Sequence, residues 1–208
     1  MNDTFNVIED IKNKYLIIRN TEFKNNYYEK KENENLTIVF NFEDLSKKLI
    51  PKDASNILLN FQPKSLKIEN SLVEYSNDNF LNKNKFSFDI LYISDECYSM
   101  SPHLNDLFPS VEAETLILKK IKINSKRQLG YFLSFILKVE CKNLILEDIF
   151  IELLIKEDEN DQDFNILDKY IGFEEGNFYI KFENEKKNLE NLKKLKLVDC
   201  PLFAITDD

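Results

Sequence analysis

The sequence predicts an α/β protein built on a parallel sheet, with one strand in each of a series of repeated units. Three observations lead to this. Pairs of aliphatic residues two apart recur at nearly constant steps: Leu66/Ile68, Leu91/Ile93, Leu116/Leu118 and Leu144/Leu146 follow one another after 25, 25 and 28 residues. Each pair has the alternation of a half-buried strand. The segments between pairs are long enough for the return path of a dozen residues or more that parallel strands require. One of them, Lys126 to Lys138, places Leu129, Phe132, Leu133, Ile136 and Leu137 on one helical face. The third observation is the stretch Leu189 to Leu202, where Leu189, Leu192, Leu195 and Leu197 fall three, three and two residues apart and are followed by Cys200 and Leu202.

Taking the first residue of each pair as position 0, the second lies at +2, a further apolar residue at +7, and an apolar entry near −5 or −3. Leu16 and Ile18, with Ile11 and Phe23, fit this frame, and Phe40 and Phe42 form the next pair. Leu66 and Ile68 are flanked by Phe61 and Val73, Leu91 and Ile93 by Phe86, Phe88 and Tyr98. Leu116 and Leu118 lie between Val111 and Ile123; Leu144 and Leu146 lie between Val139, Cys141 and Ile151. Leu144 and Leu195 are about two periods apart, and Ile171 and Phe173, with Ile166 and Phe178, occupy the gap as another rung. The same stretch also reads as an inserted hairpin, because Gly176-Asn177 between apolar runs is a turn signal. Shorter helical turns are expected at Ser99 to Leu107 and Lys186 to Lys193. Exposed loops are expected at Lys24 to Asn35, Ser76 to Lys85 and Glu157 to Asp163. Residues 1–208 read as one domain, with irregular rungs over about 1–60, clearer repeats over about 61–155, an irregular repeat or hairpin insertion over about 156–185, and a C-terminal repeat over 186–208.

The spacing LxxLxLxxCxL of Leu189 to Leu202 resembles the leucine-rich repeat, and the steps between the other pairs fall within that family's period of roughly 20 to 29 residues. The resemblance implies a right-handed solenoid with a curved parallel sheet on its concave side and helices or turns on its convex side. One such unit cannot bury its leucines alone, so neighbours must stack on it. Leu195 and Leu197 are therefore expected in stacked, buried positions. At +5, where the family prefers Asn or Cys, this chain has Ser71, Glu96, Ile121, Ile149 and Cys200. Cys200 and the following Ile205-Thr-Asp207 are similar to the cysteine-containing subclass, common in substrate-receptor subunits of ubiquitin ligases. No F-box-like Leu-Pro pattern occurs in the first fifty residues.

Composition narrows the partners. Hydrophobic residues at 43% are too many for a disordered chain. A net charge of −9 repels phosphate, which argues against nucleic acid and anionic membrane as partners. No run approaches the roughly 18 apolar residues of a membrane span, and residues 1–10 lack the basic and apolar regions of a secretory signal. Cys97, Cys141 and Cys200 are odd in number and widely spaced, which fits free thiols in a cytoplasmic or otherwise intracellular compartment. Cys141 and Cys200 are expected to be shielded from thiol reagents and Cys97 to react faster.

No constellation of residues points to catalysis. His103 is the only histidine, so a hydrolase would have to rest on it, with Ser99, Ser101 and Asp106 nearby, or on strand-edge carboxylates. There is no nucleophile elbow. The cysteines and His103 lack zinc-ligand spacing, and Asp158 to Asp163 lacks the glycine and terminal acid of a calcium loop, so no metal and no cofactor is expected.

What remains is a binding surface. Position +1 projects from the sheet opposite to the core, and the column reads Ile17, Asn41, Lys67, Tyr92, Ile117, Ile145, Gly172 and Lys196. Tyr92, Ile117 and Ile145 form an apolar strip flanked by Lys67 and Lys196. Glu69, Asp95, Glu147, Asp148 and Asp199, at +3 and +4, interrupted by Lys119 and Lys120, give one edge a mainly negative potential that would steer a basic partner. The reading is a non-catalytic module that binds a protein or peptide on its concave sheet. A ubiquitin-ligase substrate receptor or scaffold subunit and a hydrolase are its alternatives.

Overall fold

The computed structural model describes residues 7–10, 15–19, 36–41, 49, 51–70, 73, 85–94, 107–108, 110–154, 171–174, 177–180, 191–200 and 204–206. The strands are β1 (Val7–Asp10), β2 (Tyr15–Arg19), β3 (Thr37–Asn41), β4 (Ser65–Glu69), β5 (Lys85–Ser94), β6 (Ser110–Ile123), β7 (Glu140–Leu154), β8 (Ile171–Glu174), β9 (Asn177–Ile180), β10 (Lys194–Val198) and β11 (Ala204–Thr206). Nine of them form one sheet in the order β1-β2-β3-β4-β5-β6-β7-β10, with β11 also on β7. Every pairing from β2 onward in that sheet is parallel, and β1 pairs antiparallel with β2. The fold is therefore α/β with a parallel sheet whose strands lie side by side in chain order.

The register turns the sequence period into rows. Leu16, Ile38, Leu66, Leu91, Leu116, Leu144 and Leu195 are successive partners at position 0, and Ile18, Phe40, Ile68, Ile93, Leu118, Leu146 and Leu197 at +2. One expected pair is displaced. The second rung uses Ile38 and Phe40, both fully buried, instead of Phe40 and Phe42. A slip of two residues keeps the same face inward, so alternation alone does not distinguish the two registers. Ile171 and Phe173 do not form a rung: β8 and β9 make a separate antiparallel pair with Phe173 opposite Phe178. Gly172 therefore leaves the predicted column.

The longest strands keep one face buried through two breaks in alternation. In β6 the buried residues are Val111, Ala113, Leu116, Leu118, Ile121 and Ile123, with steps of three after Ala113 and after Leu118. A step of three inverts the pleat unless one residue is absorbed by a kink. Lys120 (φ 55°) absorbs the second, and Asp148 (φ 53°), Asn70 (φ 51°) and Asp199 (φ 48°) stand at the same +4 place in their own rungs. Since β6 and β7 both carry the extra residue, pairing resumes in register from Lys119↔Glu147 to Ile121↔Ile149. Hence the +5 isoleucines are core residues, not turn residues.

Among the described residues, two helices lie on the core side. Helix α1 (Pro51–Phe61) begins on a proline, whose fixed φ suits the first turn. It buries Ala54, Ile57 and Leu58 at helical spacing. It ends where Gln62 turns left-handed (φ 46°) and donates its N–H to the Leu58 carbonyl, and Pro63 prevents continuation. Helix α2 (Lys126–Lys138) is capped by Ser125, whose Oγ accepts from the Gln128 N–H at 3.2 Å, while Gln128 Oε1 accepts from the Asn124 N–H at 2.9 Å. It buries Leu129, Phe132, Leu133, Phe135 and Leu137. Phe135 was not among the residues expected on its apolar face, and Ile136, which was, is half-buried. Phe86 and Phe88 stack on each other, and both meet Phe108 edge-on with centroids 6.2 Å away. The expected turns and loops at 99–106, 186–190, 24–35, 76–84 and 157–163, as well as Asp95, Cys97, Tyr98 and His103, lie outside the described residues.

Leu195 and Leu197 correct an expectation. They stay 55% and 50% exposed, the most exposed of the large apolar side chains described. The motif puts them in the correct rows, but β10 stacks on β7 alone and no described strand pairs with its far side. Cys200 satisfies backbone groups where the chain leaves β10, its Sγ donating to the Leu146 carbonyl of the adjacent strand at 3.4 Å and to that of Val198 at 3.3 Å.

The cysteines differ in environment. Cys141 is buried, and burial pushes its thiol from an ordinary 9.0 up to about 11. Cys200 is half-buried, not fully shielded. At pH 8 an alkylating reagent should modify Cys200 well before Cys141, because the nucleophile is the thiolate and Cys141 is both inaccessible and protonated. Timed alkylation read by peptide mass spectrometry checks this; equal rates would mean that β7 is not packed in the core.

Candidate binding face of the sheet

The face opposite the helices is built from the residues between the core rows. Register makes Lys67, Tyr92, Ile117, Ile145 and Lys196 successive partners on β4, β5, β6, β7 and β10. Adjacent strands lie about 4.8 Å apart, so Tyr92, Ile117 and Ile145 are immediate neighbours. All three are half-buried. The Lys67 ammonium lies 5.5 Å from the centre of the Tyr92 ring, a cation–π contact that fixes one end of the strip. Beyond Lys67 the column holds Val39, not the expected Asn41, and Val39 is buried.

Sequence reasoning missed two members of this face. Ile90 precedes Tyr92 by two residues, points the same way and is 40% exposed. Phe150, beyond the kink at Asp148, is 37% exposed with the Lys122 ammonium 5.5 Å above its ring. The signal for Ile90 was its even spacing from Tyr92. The signal for Phe150 was hidden, because parity counted from Ile145 fails across a residue absorbed by a kink.

The described acidic residues fall in two adjacent rows, Glu69 and Glu147 at +3 and Asp148 and Asp199 at +4. The +3 row reads Arg19, Asn41, Glu69, Ser94, Lys119, Glu147 and Val198. Glu69 accepts from Asn41 Nδ2 at 3.3 Å, and Glu147 is engaged by Lys119. That carboxylate beside Lys119 raises the ammonium pKa, outweighing the opposing effect of desolvation. Asp148 and Asp199 stand one position further on, at the kinks, with Asn70 and Lys120 at the corresponding places in β4 and β6. Lys119 and Lys120 interrupt these rows, as the spacing predicts, and Asp95 lies outside the described residues. Asn143 adds a polar link at −1, with Nδ2 donating to Thr115 Oγ1 at 3.2 Å and to the Glu114 carbonyl at 3.3 Å.

Among the described residues no group of three or more His, Cys, Asp or Glu could hold a metal ion. No helix among them is long and apolar enough to cross a membrane. No family model matches the chain, and no curated protein and no solved structure matches it.

Proposed function

We propose that the chain is a leucine-rich-repeat-like solenoid, a non-catalytic module that binds a protein or peptide on the sheet face opposite its helices. One observation carries this reading. An aromatic and two isoleucines occupy the same register position on three adjacent strands, with Ile90 beside them and lysines at both ends. Apolar surface of this kind, containing an aromatic and rimmed by polar groups, marks an interaction site, because anchors such as tyrosine supply most of the binding energy at small entropic cost. Repeated strands in register also suit a long, shallow ligand better than a closed pocket. The proposal rests on the apolar strip and not on an acidic edge.

Peptides selected by display against the folded chain supply the test. Tyr92→Ala should weaken the best of them by about tenfold or more, the loss typical of an anchor, and Ile117→Asp should abolish binding. Both variants should keep a thermal transition close to that of the parent. If Ile117→Asp unfolds the protein, the strip is core and the assignment is wrong.

A further inference from the structure

Four lysines of the inner strands and their turns are matched to a carboxylate on the neighbouring strand. Lys64 meets Asp89 at 3.9 Å, Lys142 meets Glu114 at 3.7 Å, and Lys85–Glu112 and Lys119–Glu147 are in direct contact. Each pair joins neighbouring units of the sheet, so the charge sequence of one strand fits that of the next. Matching of this kind stops at β10. Lys193, Lys194 and Lys196 are exposed and have no carboxylate partner among the described residues. Leu195 and Leu197 alternate with the last two and stay half in water. No described strand pairs with the far side of β10, so among the described residues its outward amides and carbonyls form the open edge of the sheet.

We propose that this edge accepts an extended segment of a partner protein in which acidic and apolar residues alternate, added as one more strand. Main-chain hydrogen bonds to β10 would supply affinity, and the alternating side chains specificity. Acids would face Lys194 and Lys196 as Glu147 faces Lys119, and apolar residues would cover Leu195 and Leu197 as those cover Leu144 and Leu146. A second copy fits poorly, since two-fold pairing of β10 with itself sets Lys196 opposite Lys196, and like charges directly opposed are destabilising. The edge lysines thus disfavour self-association and favour one charge class of partner.

The probe is a labelled peptide of alternating glutamate and valine, with an alternating lysine–valine peptide as control. The glutamate peptide should bind, more weakly as salt rises, and should slow hydrogen exchange at residues 194–198. The double variant Lys194→Glu, Lys196→Glu should bind it about tenfold less well and should prefer the lysine peptide, as expected for charge-selected pairing. Absence of binding, or binding unchanged by charge reversal, would overturn the proposal. Slowed exchange around Tyr92, Ile117 and Ile145 without change at 194–198 would also overturn it, while leaving the reading of the sheet face intact. Concentration-dependent self-association that Leu197→Asp abolishes would show a second copy in place of the acidic strand and would overturn it too.

Discussion

Leu116→Ala should lower the unfolding free energy by roughly 2 to 5 kcal/mol, whereas Leu195→Ala should lower it by less than about 1 kcal/mol, in the range of surface substitutions. Both leucines hold position 0 of their rungs, and the motif around Leu195 is the better formed. The difference lies in what stands beside them. Leu116 is fully buried, with Leu91 and Leu144 as register partners on either side and α2 contacting its strand. Deleting its methyl groups leaves a cavity that the flanking rows are too tightly packed to fill. Leu195 has Leu144 on one side and is 55% exposed, so much of what alanine removes was already in water. Urea unfolding, with slopes compared to confirm that the transition is the same, measures both. Equal losses would show that another layer covers β10.

Ile121→Asn should be at least as damaging as Leu116→Ala, even though asparagine is the residue that the resembled repeat prefers at +5. In that repeat a polar +5 side chain satisfies backbone groups where the strand ends, the service that Cys200 performs toward the Leu146 carbonyl. In β6 the strand does not end. Lys120 takes the left-handed conformation, and Ile121 points inward beside Ile149, its register partner. An amide there forfeits the isoleucine's burial and places unsatisfied donors and acceptors among apolar groups, so the combined cost should reach about 3 kcal/mol or more. Thermal and urea unfolding of the single variant decide it. A stability equal to that of the parent would mean that the +5 side chain reaches backbone partners, as Cys200 does.

Binary alternation and a constant step were enough to predict a parallel sheet and most of its register. Leu66, Leu91, Leu116, Leu144 and Leu195 align as the spacing required, because stacking a repeated unit in register satisfies every strand's hydrogen bonds and buries the same row each time. The order Lys67, Tyr92, Ile117, Ile145, Lys196 across the opposite face follows from that register, since the residue between two core positions has no other side to take. Three features needed the tertiary structure. The choice of Ile38 over Phe42 for the second rung depends on which neighbours meet, and a two-residue slip leaves the local pattern unchanged. The place of Phe150 on the exposed face was the second, because Asp148 absorbs one residue in a kink and parity counted along the chain does not show that. Burial was the third: a leucine motif specifies which way Leu195 and Leu197 point, but whether they are covered depends on what packs against the far side of β10. Spacing within a unit is a local property of the chain, and exposure at the end of a stack is a property of its neighbours.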